Sequence, residues 1–235
     1  DKYLSDFQSA CRKMKYASKP TVSAVAGLAI GGGFEVACQT SKMVAHMNST
    51  LGLVETGVGL VPGGGGCKEL LWRWTQTDHA RNDPDFAPLK VFDIIGYAKT
   101  ATSPLEAKPL LFLNDSHQVI INRNNLLPIA RLYIEKHKNF EPPIKCKFKL
   151  SGAQVRKKMQ KILDKLYNSK KILDHGMIVG KELANVLSGG DTDLNKEISE
   201  EQMYNLELES FMKLLETDKT QKRIMHTLRT SKPLI

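Results

Sequence analysis

The sequence predicts an α/β front section of about 120 to 140 residues, an ordinary domain size, followed by an all-helical tail. Three observations carry this. Short strand patterns rich in β-branched and small residues alternate with helical patterns in the first part of the chain. The composition changes at Glu141-Pro142-Pro143. Beyond that point only patterns of helical period occur. The chain is therefore read as two parts, residues 1–140 and 141–235.

Leu4, Phe7, Cys11, Met14 and Tyr16 recur at near-helical spacing and predict an amphipathic helix over 3–17, stopped by Ser18-Lys19-Pro20. Thr21 to Ala26 is short and β-branched, a buried strand running into Gly27. A turn on Gly31-Gly32-Gly33 follows, then a helix over 34–41 and a strand over 43–46. Leu51 to Leu53 is a second extended piece, after which come Val58-Gly59-Leu60-Val61-Pro62 and Gly63 to Gly66. Lys68 to Gln76 reads as a helix and Thr77 to Pro88 as a surface loop. Helices are expected over 90–97 and 104–113, a strand over 117–121, and a helix over 124–137 that tolerates Pro128 near its first turn. In the tail, Ala153 to Tyr167 sets Val155, Met159, Ile162, Leu163 and Leu166 on one face, with lysines mostly on the other. Asp174 to Leu187 stops at Gly189-Gly190, a capping box at Ser199-Glu200-Glu201-Gln202 opens a helix through Leu215, and a last helix covers 220–228.

At 235 residues, with 41% hydrophobic and 25% charged residues, the chain can bury a sizeable core. No apolar run approaches the roughly 18 residues a membrane helix needs, and the N-terminus lacks the apolar stretch of a signal peptide. A cytoplasmic protein is expected. The chain begins with Asp, which suits a processed product or a fragment. Four widely spaced cysteines form no C-x-x-C pair and have no histidine cluster beside them, so reduced, buried thiols are expected and no metal site. The +9 charge is spread along the chain without aromatic interleaving, which argues against nucleic acid and suits steering of a phosphorylated small molecule.

Two carboxylates carry the chemistry. Glu35 lies in Gly31-Gly32-Gly33-Phe34-Glu35 and Glu55 in Gly52-Leu53-Val54-Glu55-Thr56-Gly57. An apolar setting disfavours the charged form and makes a carboxyl group a candidate acid or base near neutral pH. Glu35 is equally explained as a carboxylate in the first turn of a helix, where the dipole stabilises it. Glu55 interrupts an apolar series, where an uncompensated charge is costly unless the site is open or paired. Gly32 is placed either for a plain tight turn or for a backbone N–H aimed at developing negative charge. Gly57-Val58-Gly59-Leu60-Val61-Pro62 breaks the dinucleotide pattern and Lys68 sits in no Walker motif, so the glycines of 63–66 are read as shaping a loop and a helix start.

The run Lys19-Pro20 to Glu35, with Leu51-Gly52-Leu53-Val54-Glu55 and Gly59 to Gly66, closely resembles the enoyl-CoA hydratase/isomerase (crotonase) family. Leu187-Ser188-Gly189-Gly190-Asp191 and the stretch from Lys219-Thr220-Gln221-Lys222-Arg223 to Lys232-Pro233-Leu234 extend the likeness to the hydratase half of bifunctional 3-hydroxyacyl-CoA dehydrogenase/enoyl-CoA hydratase proteins of β-oxidation. The resemblance implies an N-terminally truncated crotonase-like spiral of ββα units with a helical C-terminal region, in an oligomer of trimer type or a β-oxidation complex. It implies an acyl-CoA substrate, with Glu35 and Glu55 as the catalytic pair, the Gly32 N–H as half of the oxyanion hole, and Gly31, Gly32 and Val54 against the substrate. The other oxyanion N–H and the residues that hold coenzyme A are implied to lie upstream of this chain. No cofactor is implied here, NAD belonging to the dehydrogenase half. A non-catalytic remnant and an enoyl-CoA isomerase are the alternatives on the same fold.

Overall fold

The computed structural model describes residues 2–232 and Leu234; Asp1, Pro233 and Ile235, at the two ends of the sequence reading, lie outside the described residues. The chain runs through α1 (Lys2–Lys15), β1 (Val22–Val25), β2 (Leu28–Ile30), α2 (Gly32–Ala37), β3 (Lys42–His46), β4 (Thr50–Gly52), a 3-10 turn (Glu55–Val58) and α3 (Gly66–Thr75). There follow α4 (Asp78–Asn82), α5 (Phe86–Gly96), β5 (Thr100–Ala101), α6 (Pro104–Ala107), β6 (Gln118–Ile120) and α7 (Leu126–Lys136). The remainder is β7 (Lys147–Phe148), α8 (Ala153–Asn168), α9 (Asp174–Ser188), β8 (Ile198–Ser199), α10 (Glu200–Leu215) and α11 (Asp218–Thr230).

Two ββα units, β1-β2-α2 and β3-β4 with the 3-10 turn and α3, place β1 and β3 in one sheet and β2 and β4 in the other. The first sheet has the order β1-β3-β6, all parallel, with Val22 opposite Lys42 and Val25 opposite Ala45. The second has the order β2-β4-β5, with Leu28 opposite Thr50 and Ile30 opposite Gly52 in parallel, and β5 antiparallel. Parallel strands need crossovers, and the α2 and α3 segments supply them. Because each unit repeats the same path, the ends of β2 and β4 lie side by side, and the candidate residues follow those two ends.

Phe34, 1% exposed, anchors α2 in the main hydrophobic cluster and meets the Phe112 ring edge-on at 5.0 Å. That cluster runs from Val25 to Leu214 and includes residues from both sides of Glu141-Pro142-Pro143. The capping box at Ser199 and Gln202 is present, α10 ends at Leu215, and the left-handed Gly189 closes α9. All four cysteines are free and buried. No helix among the described residues is long and apolar enough to cross a membrane.

The structure corrects several expected elements. β2, a three-residue strand next to the glycine turn, is too short to show a period. The helix expected over 34–41 starts at Gly32 and ends at Ala37, where the Thr40 hydroxyl donates to the Ala37 carbonyl. The polar stretch over 77–88 is not a surface loop: it holds α4 and the start of α5, and Asp85 is buried against Ser151 and Lys158. The helix expected over 104–113 stops at Ala107, since Pro109 cannot continue it, and Leu111 takes a positive φ of 55°.

Candidate active site

The chain leaves β2 through Gly31. Its N–H still donates to the Gly52 carbonyl at 2.9 Å, continuing the β2-β4 ladder, while its φ of 55° turns the backbone directly into α2. A side chain is disfavoured twice here: by the left-handed backbone, and because a Cβ would crowd Glu55 Oε1 at 3.2 Å, with Val54 Cγ2 in ordinary contact at 3.8 Å. Gly31, Val54 and Glu55 therefore meet at one point. Gly32 is the first residue of α2, and its N–H, like every N–H of a first turn, has no intrahelical acceptor.

Glu35 stands one turn into α2 with 3% exposure. Its carboxylate bonds to a different helix: Oε1 accepts from the Gly64 N–H and the Gly66 N–H, each at 2.8 Å, at the start of α3. No hydrogen bond among the described residues reaches Oε2. Burial pushes the group up to about 7, against the pull of the two N–H donors and of the Lys68 ammonium.

Glu55 is less well served. Both carboxylate oxygens are buried and have no hydrogen-bond partner among the described residues. Burial raises the group to about 8, and the Glu35 charge adds to the rise. The Val54 and Glu55 N–H groups lower it only in part and do not reach bonding geometry. The structure thus brings Glu35, Glu55, Gly31 and Val54 into one electrostatic neighbourhood, with the Gly32 N–H at its edge.

Sequence reasoning missed the residues that fix this neighbourhood from the helical tail. Glu207 of α10 is fully buried; its Oε2 accepts from the Gly65 N–H at 2.7 Å and its Oε1 from the Lys68 N–H at 2.6 Å. A signal existed, for Glu207 shares the buried stripe Met203, Glu207, Ser210, Leu214 of its helix. His175, which the sequence reading left without a role, meets the Thr220 hydroxyl at 2.8 Å, and that hydroxyl donates to the Gly59 carbonyl at 2.8 Å. Gly59 ends the turn that carries Glu55, so α9 and α11 hold that turn from behind. Thr56 Oγ1 ties the same turn to the Ile95 carbonyl at 2.9 Å.

Lys68, with no exposed side-chain surface, meets Glu200 at 2.7 Å and Glu69 at 3.2 Å. Lys15 of α1 meets Glu69 at 2.6 Å and Glu200 at 3.4 Å. This buried network locks α1, α3 and α10 together directly behind Glu35. Although burial opposes it, Lys15, Lys68 and Arg73 hold Glu69 well below the usual carboxylate range.

A cavity of about 630 Å³ begins at Thr56 and Gly57, the residues after Glu55. Phe92, Leu163, Val179 and Leu183 give it largely apolar walls, with Lys171 and Arg223 among the lining residues. No cluster of three or more potential metal ligands occurs among the described residues.

Residues 1–78 match the model of the enoyl-CoA hydratase/isomerase family. The chain is 34% identical over its whole length to a probable 3-hydroxyacyl-CoA dehydrogenase of Bacillus subtilis, and 28% identical over 91% of its length to a putative fatty acid oxidation complex trifunctional enzyme of Rickettsia prowazekii. It spans only 30% and 26% of those relatives. The structure is similar to a carnitinyl-CoA hydratase from Mycobacterium avium, with a TM-score of 0.55 and 17% identity over 95% of this chain and 65% of that one. A putative enoyl-CoA hydratase from Streptomyces avermitilis gives 0.55 and 16% over 95% and 60%. These structural likenesses establish the crotonase fold. The family's segment in residues 1–78 and this fold together support an enoyl-CoA hydratase/isomerase family member.

Proposed function

We propose that the chain is the hydratase portion of a fatty-acid β-oxidation protein, adding water to 2-trans-enoyl-CoA thioesters to give 3-hydroxyacyl-CoA. The observation that carries the reading is the pair of buried carboxyl groups, one anchored by two N–H donors and the other with none. Groups whose environments push their protonation apart sort into acid and base. Glu35, held by Gly64 and Gly66, carries the negative charge more easily and serves as the base. Glu55, without donors and beside that charge, keeps its proton and serves as the acid.

In the forward step, Glu35 Oε2 takes a proton from water as the water oxygen bonds to the β-carbon. The π electrons move toward the thioester oxygen, and the α-carbon takes its proton from Glu55. The Gly32 N–H lies at the positive end of α2 and faces the oxygen on which charge develops, a type of contact worth about 100- to 1,000-fold in rate. Gly31 and Val54 flank the thioester, and the cavity beyond Thr56 and Gly57 suits an apolar acyl tail. The +9 charge favours the approach of coenzyme A phosphates. Coenzyme A is part of the substrate and no further cofactor enters the step; partners would be other copies in a trimer-type assembly or the remaining parts of a β-oxidation complex.

Product identity tests the reading. The full-length polypeptide that carries this chain, given a 2-enoyl-CoA, is expected to yield a thioester heavier by one water. A product of unchanged mass with a shifted double bond, or no product, would overturn it.

A further inference from the structure

The start of α3 is held by two carboxylates in alternation. Glu35 takes the Gly64 and Gly66 N–H groups, and Glu207 takes the Gly65 and Lys68 N–H groups. The helix has no capping side chain of its own, because its N-cap is Gly65 with a φ of 106°. A Cβ at Gly65 would come within 2.7 Å of the Tyr204 ring, so a local Ser or Asp cap is excluded. The cap instead comes from 142 residues later in the chain.

We infer that Glu207 is a positioning residue for Glu35: it fixes the corner whose N–H groups hold the Glu35 carboxylate, and it shares that corner's capacity for negative charge with Glu35. The inference rests on the reading of Glu35 as half of the acid/base pair. Its geometry is specific. A carboxylate offers two acceptor oxygens to two N–H groups, whereas an amide at this position would turn its NH₂ toward one of them. Two buried carboxylates on one helix end also cannot both ionise without mutual cost, and burial together with the Glu35 charge keeps Glu207 well above the usual carboxylate range.

The other groups facing the pair are few. Lys68 on α3 supplies the cation, although its ammonium is already bonded to Glu200, Glu69 and Gln39. Glu55 lies on the Glu35 side. Cys11 of α1, Cys38 after α2, Cys67 of α3 and Tyr204 of α10 are pushed up by burial and stay neutral. Glu207 is thus a buried acidic partner of Glu35 besides Glu55.

The test is a carboxyl ¹³C NMR titration of the full chain, with the Glu35 and Glu207 signals assigned by their loss in E35Q and E207Q. Glu207 titrates after Glu35 and so carries the coupling: its midpoint is expected to fall by about one unit or more in E35Q, the scale of strongly interacting sites, and E207Q, whose amide mis-pairs one corner N–H, to lower kcat with KM little changed. The E35Q measurement keeps Glu207 in place and decides the matter even if E207Q does not fold. An unchanged midpoint in the partner overturns the inference. Coupled midpoints without any hydration would overturn the catalytic reading of Glu35 and leave the Glu207 link standing; hydration without coupling would do the reverse.

Discussion

Replacing Glu55 by Gln should stabilise the protein, and more so as pH rises. Both Glu55 oxygens are buried without a partner among the described residues, so ionising the group is unfavourable in the folded state and not in the unfolded one. Its rise from 4.5 to about 8, at ~1.4 kcal/mol per unit, sets a ceiling of about 5 kcal/mol. The sign follows from the direction of the shift. A carboxyl raised on folding contributes stability that is complete below 4.5 and is lost as pH climbs through about 8. The amide of E55Q cannot ionise and removes that loss, at the cost of leaving a neutral polar group buried. Relaxation around the charge reduces the ceiling, and a net gain of about 2–4 kcal/mol at pH 8.5 is expected, with little difference at pH 5. Urea denaturation of wild type and E55Q at the two pH values measures it. A variant equally or less stable than wild type at pH 8.5 would refute the argument that Glu55 is an uncompensated buried carboxyl group.

Other consequences follow from the same geometry. Gly31→Ala should cost about 1–2 kcal/mol for the left-handed backbone and abolish hydration, because its Cβ crowds Glu55 Oε1; thermal unfolding and turnover check both. Lys68→Met strands Glu69 and Glu200 in the interior and should cost about 3–5 kcal/mol, and a loss under 1 kcal/mol in denaturant titration would mean that Lys15 and Arg73 suffice. Phe34→Ala, removing a side chain 1% exposed, should cost about 3–5 kcal/mol. Because Glu69 is held low by its cations, stability should also fall on the acid side as pH drops below the ordinary carboxylate value of 4.5, and less steeply in E69Q.

Much of the fold was legible because its signals are local. The capping box at Ser199 and the glycine stop at Gly189 each depend on residues within one turn, and both formed as read. The polar stretch over 77–88 misled because its packing comes from elsewhere: Asp85 is buried by Ser151 and Lys158, residues more than sixty positions away. The site divides in the same way. Glu35 and Glu55 stand out since each is a charge among glycine and apolar neighbours. What makes them different from one another does not, for the donors to Glu35 lie in Gly64 and Gly66 and the absence of donors to Glu55 is a property of three dimensions. Glu207 and Thr220 reach the site from the last helices, and only the position of Glu207 on a buried stripe hints at it.

The central claim is that Glu35 and Glu55 act together in one hydration step, as base and acid. Steady-state hydration of a 2-enoyl-CoA by the full-length polypeptide, its E35Q and E55Q variants and the double variant tests it most directly. Each single variant is predicted to lose at least ~100-fold in kcat, within the range of general acid–base catalysis, and the double variant to lose little more than the worse single, as residues acting as a unit do. Full turnover in either single variant, or losses that multiply in the double, would contradict the account.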